Sequence, residues 1–513
     1  MNLLNEKDKW IPARKGTRFY QMSYKELLCT EQSDLQVALP RDDLELACIQ
    51  MLAALTQVIF MPENKKKLRA RIRTPLSEQE YDQGIKKFMD WFDLDHQKWP
   101  FMQVLDPGTD DPTPIQKLFP GLPAGNNHAF FNGKDEYEKV CPSCASIGLF
   151  NLCTHTPNLS GKHKGGVRGN APISTMIYDG DFRRMVWINV LTKETADRIF
   201  AGERSNYPVW IEPIKSANKV PAISIGITRG LFWAPIHVRL QLRQELIRCD
   251  CCGMISNTGV HGFLLGSEFK FDVVGLWPHP YSPRKLNLQK ENKKGKAFPE
   301  ESIVSFKTTD PAWTQFSELL FQSDKTENKE GFIPAAVVSQ FHDLFSDQAI
   351  HLLIGGYRNK QAAILQRRHE LYTIPAGWND DKRNRIIEII EIGLKAKKVL
   401  TDKVLYPVVK GAENNGEKGV GAPINSKASS IFFHLTEPLI HSMLGESSLR
   451  EFVQAKNVFL EDLSRICFDI FERVTRPYAH KPEVIGTIAL ARNKLNGLLS
   501  KLKYEHTFSG GLA

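Results

Sequence analysis

The longest apolar run in the chain, from Leu44 to Phe60, predicts a buried helix. Four polar residues interrupt it: Glu45, Gln50, Thr56 and Gln57. A helix that is apolar on nearly every face lies in a protein core or crosses a membrane. The polar interruptions favour the core, and we expect the helix to open with a capping box formed by Asp42 and Glu45.

The pattern of apolar positions changes at about residue 370. Before it, short β-type segments such as Met176 to Val190 and Phe269 to Leu276 alternate with turns marked by proline. From Asp381 onward, apolar residues recur at helical spacing. We therefore predict an α+β chain with a large mixed N-terminal domain over residues 1–370 and a C-terminal four-helix bundle over residues 371–513.

Composition and the cysteine count indicate the cellular compartment. The 513 residues are 42% hydrophobic and 24% charged, which is typical of a globular chain with an ample core. The first ten residues, MNLLNEKDKW, contain no apolar leader, and nine is an odd number of cysteines. We expect a cytoplasmic protein in a reducing environment, with no membrane segment.

Two Cys-x-x-Cys pairs, Cys141/Cys144 and Cys249/Cys252, lie about a hundred residues apart. Four thiolates from two turns match the tetrahedral preference of zinc, and an all-sulfur set indicates a structural site. Four unrelated buried thiols are the alternative. Cys251 offers a second spacing for the fourth ligand, but only Cys249/Cys252 repeats the spacing of the first pair. The sequence therefore predicts one structural Zn²⁺ held by these four residues.

The net charge of +9 is modest for this length, and the basic residues cluster in three stretches. The clusters are Lys162, Lys164 and Arg168; Arg284, Lys285, Lys290, Lys293, Lys294 and Lys296; and Arg358, Lys360, Arg367 and Arg368. The first lies in a stretch without Asp or Glu, from Lys139 to Tyr178. We expect these stretches to contact phosphates, and we expect His155 and His163 to be solvated loop residues.

Catalytic signatures are missing from the sequence. It contains no G-x-x-x-x-G-K-[ST], no G-x-S-x-G and no H-E-x-x-H. The pair His342-Asp343 stands alone, and we interpret His342 as an ordinary helix residue. The chain is therefore not expected to be an enzyme. A zinc-dependent nuclease and a generic basic RNA-binding scaffold remain as alternative functions.

Several stretches, taken in order, resemble one family along the whole chain. They are LPRDD at 39–43, PFMQ at 100–103, the two cysteine pairs, RGLFW at 229–233, GLWPHP at 275–280, GGYRN at 355–359 followed by Gln361 and Ala362, and PYAH at 477–480. Together they resemble the CasA family, the large subunit of Cascade, the type I-E CRISPR surveillance complex.

The resemblance implies a non-enzymatic recognition subunit for antiviral defence. Such a subunit reads a protospacer-adjacent motif in target double-stranded DNA, starts duplex opening for the guide RNA, and supports recruitment of an effector helicase-nuclease. The implied partners are the other Cascade subunits, the 5' handle of the guide RNA and the target DNA. The sequence of the adjacent motif does not follow from the resemblance.

The resemblance also implies particular site residues. Gln361 matches the family's glutamine wedge, where a planar amide stacks on the last base pair, with Asn359, Lys360 and Ala362 beside it. Residues Ser160, Gly161 and Lys162 match a glycine-rich minor-groove loop in which only Gly161 remains as glycine. Residues Phe130, Phe131 and Asn132 match the loop that touches the guide handle.

The region of Gln361 carries two further expectations. We expect the paired glycines Gly355 and Gly356 to form a tight turn that projects the following side chains. Arg367 and Arg368 are expected to hold backbone phosphates of the bound DNA. The family's minor-groove lysine falls near Ser267 and Glu268, and neither residue is basic.

Overall fold

A computed structural model describes most of the chain. The described residues are 1–31, 34–120, 136–156, 166–202, 204–215, 218–266, 271–288, 299–360, 363–377, 380–408, 421–480 and 482–508. They divide into two compact units. Unit 1 comprises Met1–Thr309, Glu318–Phe345 and His351–Leu371, and unit 2 comprises Asp310–Ser317, Ser346–Ile350 and Tyr372–Ala513.

The strands form small sheets. They are β1 Ile11–Lys15, β2 Arg18–Met22, β3 Leu35–Val37, β4 Pro112–Pro114, β5 Ser174–Ile177, β6 Lys219–Pro221, β7 Val238–Arg248, β8 Ile255–Leu265, β9 Asp272–Val274, β10 Arg284–Leu286, β11 Glu301–Ile303, β12 Gly331–Ile333, β13 Ile350–Lys360 and β14 Ala363–Ile374. Among them, four sheets have three strands, in the orders β2-β1-β3, β11-β10-β12, β14-β13-β5 and β4-β8-β7, and β6 pairs with β9 in parallel. In the third sheet, Leu352 pairs with Ile177.

The helices dominate both units. The α-helices are α1 Tyr24–Cys29, α2 Asp42–Phe60, α3 Lys65–Arg73, α4 Glu78–Ile85, α5 Pro142–Thr154, α6 Phe182–Ile188, α7 Lys193–Ile199, α8 Ile227–Leu231, α9 Phe316–Leu320, α10 Ala336–Leu344, α11 Asp380–Lys398, α12 Gly421–Met443, α13 Glu446–Arg450, α14 Phe452–Thr475 and α15 Pro482–Phe508. Short 3₁₀ segments lie at Lys86–Trp91, Ile115–Leu118, Ala222–Ser224, Ala312–Gln315 and Arg476–Tyr478, and a π-helical segment, Val399–Leu405, extends α11. The mixture of helices and strands confirms the α+β class.

Helix α2 is the central helix of unit 1. It packs against α5, α6 and α8, and its buried residues lie on all faces. By length and composition this helix could cross a membrane, but 78% of its apolar window is buried inside the protein. The expectation of a core helix is confirmed. The expected capping box is not formed, because the helix begins at Asp42 itself and Glu45 instead accepts the backbone N–H of Leu39, at 3.3 Å.

Unit 2 contains four long helices, α11, α12, α14 and α15. Helix α14 contacts each of the other three, and α11 contacts both α12 and α15. Their contacts are apolar, with residues such as Ile389, Phe432, Leu463 and Leu495 buried. The helical periodicity after residue 381 therefore corresponds to real helices. Two short earlier segments also belong to unit 2, which the periodicity did not indicate.

One predicted strand is only partly present. The segment from Met176 to Val190 starts in β5 but turns into α6 at Phe182. Asp181 causes the change, because its carboxylate accepts the backbone N–H of Arg184 at 2.8 Å and caps the helix. The helix cap at Asp181 therefore outweighs the strand propensity of the β-branched residues in this segment.

Candidate metal centre and nucleic-acid interface

The four predicted cysteines meet in unit 1. Cys141 is the residue before α5, where Pro142 occupies the first helical position, and Cys144 lies in the first turn. Cys249 and Cys252 lie in the turn between β7 and β8. Gly253 follows them with φ +73°, a left-handed conformation that favours glycine. A helix start and a hairpin turn thus bring the two pairs together.

The geometry of this cluster fits a tetrahedral metal. All four sulfurs lie within 4.8 Å of one another, and Cys141 Sγ is 3.8 Å from Cys252 Sγ. A tetrahedron with metal–sulfur bonds of about 2.3 Å has edges of about 3.8 Å. The backbone N–H of Cys141 also donates to Cys249 Sγ at 3.2 Å, as amides do toward metal-bound thiolates. Cys251 is buried but does not belong to the set of four.

The two turns are also joined by the backbone. Val140 and Val260 exchange both of their N–H···O bonds, at 3.1 and 2.8 Å. The carboxylate of Asp250 accepts the N–H groups of Glu138 and Lys139, at 2.9 and 2.8 Å. These bonds join the two turns that carry the sulfurs.

The thiols of the cluster differ in acidity. Hydrogen bonds from Cys141, then from Cys144, lower the pKa of Cys249. Hydrogen bonds with Cys141, and then with Cys249, raise the pKa of Cys144.

The residues just before the expected wedge lie at the end of strand β13. Asn359 and Lys360 end β13, and Ala363 begins β14. Lys360 is exposed and Asn359 is half-buried. Gln361 and Ala362 lie outside the described residues. The two other predicted loops, Ser160, Gly161 and Lys162, and Phe130, Phe131 and Asn132, also lie outside them.

The paired glycines of this strand have a different role from the expected one. Gly355 and Gly356 lie inside β13 and not in a turn. A Cβ on Gly355 would meet Leu46 of α2 at 2.5 Å, and Gly356 has φ +146° with Pro172 O 2.6 Å from its Cβ position. The glycines therefore allow neighbouring elements to approach the strand closely.

Two arginines expected to contact phosphate are core residues. Arg368 is buried, pairs with Glu370 and lies 4.5 Å from the Phe306 ring centroid. Arg168 is 2% exposed and donates to Ser282, Ser174 and Gln50. Burial lowers the pKa of Arg168 to about 9. These two predictions were wrong, because position in a basic stretch does not reveal burial.

Other basic residues are paired at the surface. Arg284 contacts Glu301 and Lys285 contacts Glu330, each at 2.6 Å. Arg367 is 38% exposed, with its Nε 3.4 Å from Asp42. Lys162 and Lys164, and the lysines between residues 290 and 296, lie outside the described residues. Sequence reasoning also missed a basic helix, α3, where Lys65, Lys66 and Lys67 are exposed in the first turn; the letters KKKLRARIR were its signal.

His155 is not the solvated loop residue that we expected. It is 2% exposed, with Nε2 2.7 Å from Gln50 Oε1 and Nδ1 2.7 Å from Thr154 Oγ1. Burial, reinforced by Arg168, holds its pKa well below the ordinary value. His342 lies in α10, as expected of a helix residue, and burial lowers its pKa to about 4. Both ring nitrogens of His155 are engaged away from the cysteine cluster.

The α+β fold is that of solved CasA-type proteins. Thermobifida fusca Cse1 superposes with a TM-score of 0.72 at 16% identity, covering 99% of this chain and 98% of that one. A chain of a structure described as a CRISPR RNA-guided surveillance complex gives a TM-score of 0.63 at 15% identity, covering 97% and 99%. The family is shown by comparison of the sequence with family models. The model of CRISPR-associated protein Cse1 matches residues 2–470, so the chain belongs to this family.

One curated relative matches over a shorter region. The CRISPR-associated protein CasA/Cse1 of Thermus thermophilus is 30% identical over 138 residues. This region is 26% of this chain and spans only 27% of the relative's length. The family membership expected from the quoted stretches is thus confirmed.

Proposed function

We propose that the chain is the large, non-enzymatic subunit of a type I-E CRISPR RNA-guided surveillance complex in the cytoplasm. The observation that carries this proposal is the match to the Cse1 family over residues 2–470. The likeness in fold to a chain of an RNA-guided surveillance complex supports it. Its partners would be the other Cascade subunits, the guide RNA and target double-stranded DNA, and its biological role would be antiviral defence.

On the DNA side, we propose that the hairpin formed by β13 and β14 opens the duplex beside the protospacer-adjacent motif. Asn359, Lys360, Gln361 and Ala362 would face the DNA, with Gln361 as the wedge. The exposure of Lys360 at the end of β13 supports a phosphate or groove contact there. Residues 160–162 would contact the same duplex.

On the RNA side, Phe130, Phe131 and Asn132 would bind the 5' handle of the guide and hold the subunit in the complex. An unpaired base stacked on an aromatic ring is the recognition mode that this residue choice favours. Recruitment of an effector helicase-nuclease completes the proposed role. The domains would be residues 1–370, with the metal site and nucleic-acid-binding loops, and residues 371–513 as a four-helix bundle.

The metal would be a structural Zn²⁺. The support is the all-thiol ligand set, the 3.8 Å sulfur–sulfur distance and the burial of the cluster. Zinc bound by four thiolates has no open position for a substrate, so its contribution is to hold the helix start and the hairpin turn together. We propose no metal-dependent cleavage by this chain.

A reconstitution experiment tests the function. The purified chain is added to a guide ribonucleoprotein lacking this subunit, and binding is measured by competition between duplexes that differ only in the bases beside the target. We expect the chain to co-elute with the ribonucleoprotein and to prefer some adjacent sequences over others. Binding without any such preference would favour the generic RNA-binding scaffold, and cleavage of DNA by the chain with a divalent metal would favour the nuclease.

A further inference from the structure

A buried carboxylate, that of Asp43, collects hydrogen bonds at the start of α2. Arg41 donates to it from Nε at 2.9 Å and from Nη2 at 2.6 Å, and the hydroxyl of Tyr357 donates at 2.6 Å. Arg41 and Asp43 are 6% and 7% exposed. Burial opposes ionisation, but the bonds from Arg41 hold the pKa of Asp43 below its ordinary value. Asp43 is therefore a paired, charged group inside unit 1.

The same carboxylate contacts both strands of the candidate hairpin. Tyr357 lies in β13, three residues before Lys360. Arg367 lies in β14, with Nη1 3.7 Å from Asp43 Oδ1. One side chain thus joins the two strands on either side of residues 361 and 362 to the first turn of a core helix.

The network around Asp43 extends to two other segments. Arg41 Nη2 also donates to the carbonyl of Pro120 at 2.6 Å, and Pro120 directly precedes the segment with the proposed guide contacts. Asn151 Nδ2 donates to the Tyr357 hydroxyl at 2.7 Å, and Asn151 belongs to α5, whose first turn carries Cys144. The hairpin strands, the segment ending at Pro120 and the metal-bearing helix are therefore linked through three side chains, those of Arg41, Asp43 and Tyr357.

A purely stabilising role explains this arrangement poorly. A buried ion pair contributes little net stability compared with apolar packing of the same volume, because both charges lose their hydration. What such a network does provide is fixed geometry, since each bond has a preferred length and direction. Here the geometry fixed is that of the hairpin relative to α2 and Pro120.

We propose that Asp43 is a positioning residue for duplex opening. It holds β13, β14 and the segment ending at Pro120 in fixed positions relative to α2, so that the two strands meet the DNA in one orientation. The inference rests on the proposed function, because it assigns Asp43 a role in duplex opening by the same hairpin. Residues of the LPRDD stretch thus gain a role that the sequence did not indicate.

The test uses Tyr357→Phe in the complete complex with its guide ribonucleoprotein. The substitution keeps the ring and removes the hydroxyl that binds Asp43. Strand opening is followed with a fluorescent reporter base, per bound complex, on fully paired targets and on targets pre-melted beside the motif. We expect opening of paired targets to slow at least about tenfold, the lower limit for loss of one hydrogen bond to a charged group, with no change on pre-melted targets. Zinc content and co-elution with the ribonucleoprotein should stay at wild-type levels.

Tyr24→Phe is the matched control. Tyr24 is also fully buried and its hydroxyl contacts Thr56 at 2.8 Å, near the other end of α2. It also removes one buried tyrosine hydroxyl bond but should leave opening unchanged. Asp43→Asn should slow opening, and adding Tyr357→Phe to it should slow opening by a smaller factor than in the wild-type background, because the two residues share a contact.

The outcomes separate the two proposals. If wild-type complex opens paired DNA and Tyr357→Phe opens it at the same rate, or Tyr24→Phe is equally slow, the positioning role is wrong while the proposed function stands. If the wild-type chain neither joins the ribonucleoprotein nor opens DNA, the proposed function fails and this inference fails with it.

Discussion

Removal of the metal should lower the stability of unit 1 by a calculable amount. A ligand that binds only the folded state stabilises it by about 4.1 kcal/mol when its free concentration is a thousand times Kd. For a unit of about 360 residues, the unfolding entropy near the melting temperature is about 0.75 kcal/mol/K. When zinc is present at that excess over Kd, stripping it with a chelator should therefore lower Tm by about 5 °C.

The structure indicates that the loss should be partial. The Val140 and Val260 backbone bonds and the Asp250 carboxylate join the two turns without the metal. We therefore expect the chelated protein to remain folded at 25 °C and to regain its Tm when zinc is returned. Complete unfolding on chelation would contradict this expectation.

A pair of variants in one turn makes the experiment specific. Cys249→Ser removes a predicted ligand, and elemental analysis should show zinc falling from about one per chain to a small fraction, with Tm close to that of the chelated wild type. Cys251→Ser changes a buried thiol two residues away and should keep its zinc. Full zinc content and unchanged Tm in Cys249→Ser would refute the assignment of the site.

Three further predictions concern other residues. Replacing Phe130 and Phe131 together by Ala should weaken association with the guide ribonucleoprotein by about 1–3 kcal/mol per stacked base; unaltered co-elution at low concentration would argue against the tether. Gln361→Ala should slow opening of paired but not pre-melted targets, as measured with a fluorescent reporter base. Lys360→Ala should weaken binding to both targets, and a salt titration should show the slope of log binding constant against log salt concentration reduced by about one. His155 stays neutral in the folded chain but takes up a proton below about pH 6.5 in the unfolded chain, so the unfolding free energy should fall with decreasing pH by up to about 1.4 kcal/mol per pH unit. Denaturant titrations at several pH values should show a smaller dependence of unfolding free energy on pH in His155→Gln. An identical dependence would contradict the assignment.

Sequence reasoning reached the parts of this molecule that depend on local pattern. The spacing of Cys141, Cys144, Cys249 and Cys252 identified the cluster, because each pair closes within one turn. The apolar run identified α2 for a similar reason. Each cysteine pair and the apolar run are read within a short window of the chain.

The errors share a different cause. Gly355 appeared to mark a turn, but its missing Cβ makes room for Leu46, some three hundred residues earlier in the chain. Arg168 and His155 belong to polar stretches, yet tertiary contacts with Gln50 and Ser282 bury them. Such contacts depend on which distant segments meet, and no local window contains that information.

Helix α5 has a consequence for how this chain tolerates change. All thirteen of its residues are buried, whereas a surface helix exposes one side in every turn. In a saturation library, a surface helix shows tolerant positions every three or four residues. Residues 142–154 should instead appear as one unbroken intolerant block, so labels, tags and crosslinkers belong elsewhere on the chain.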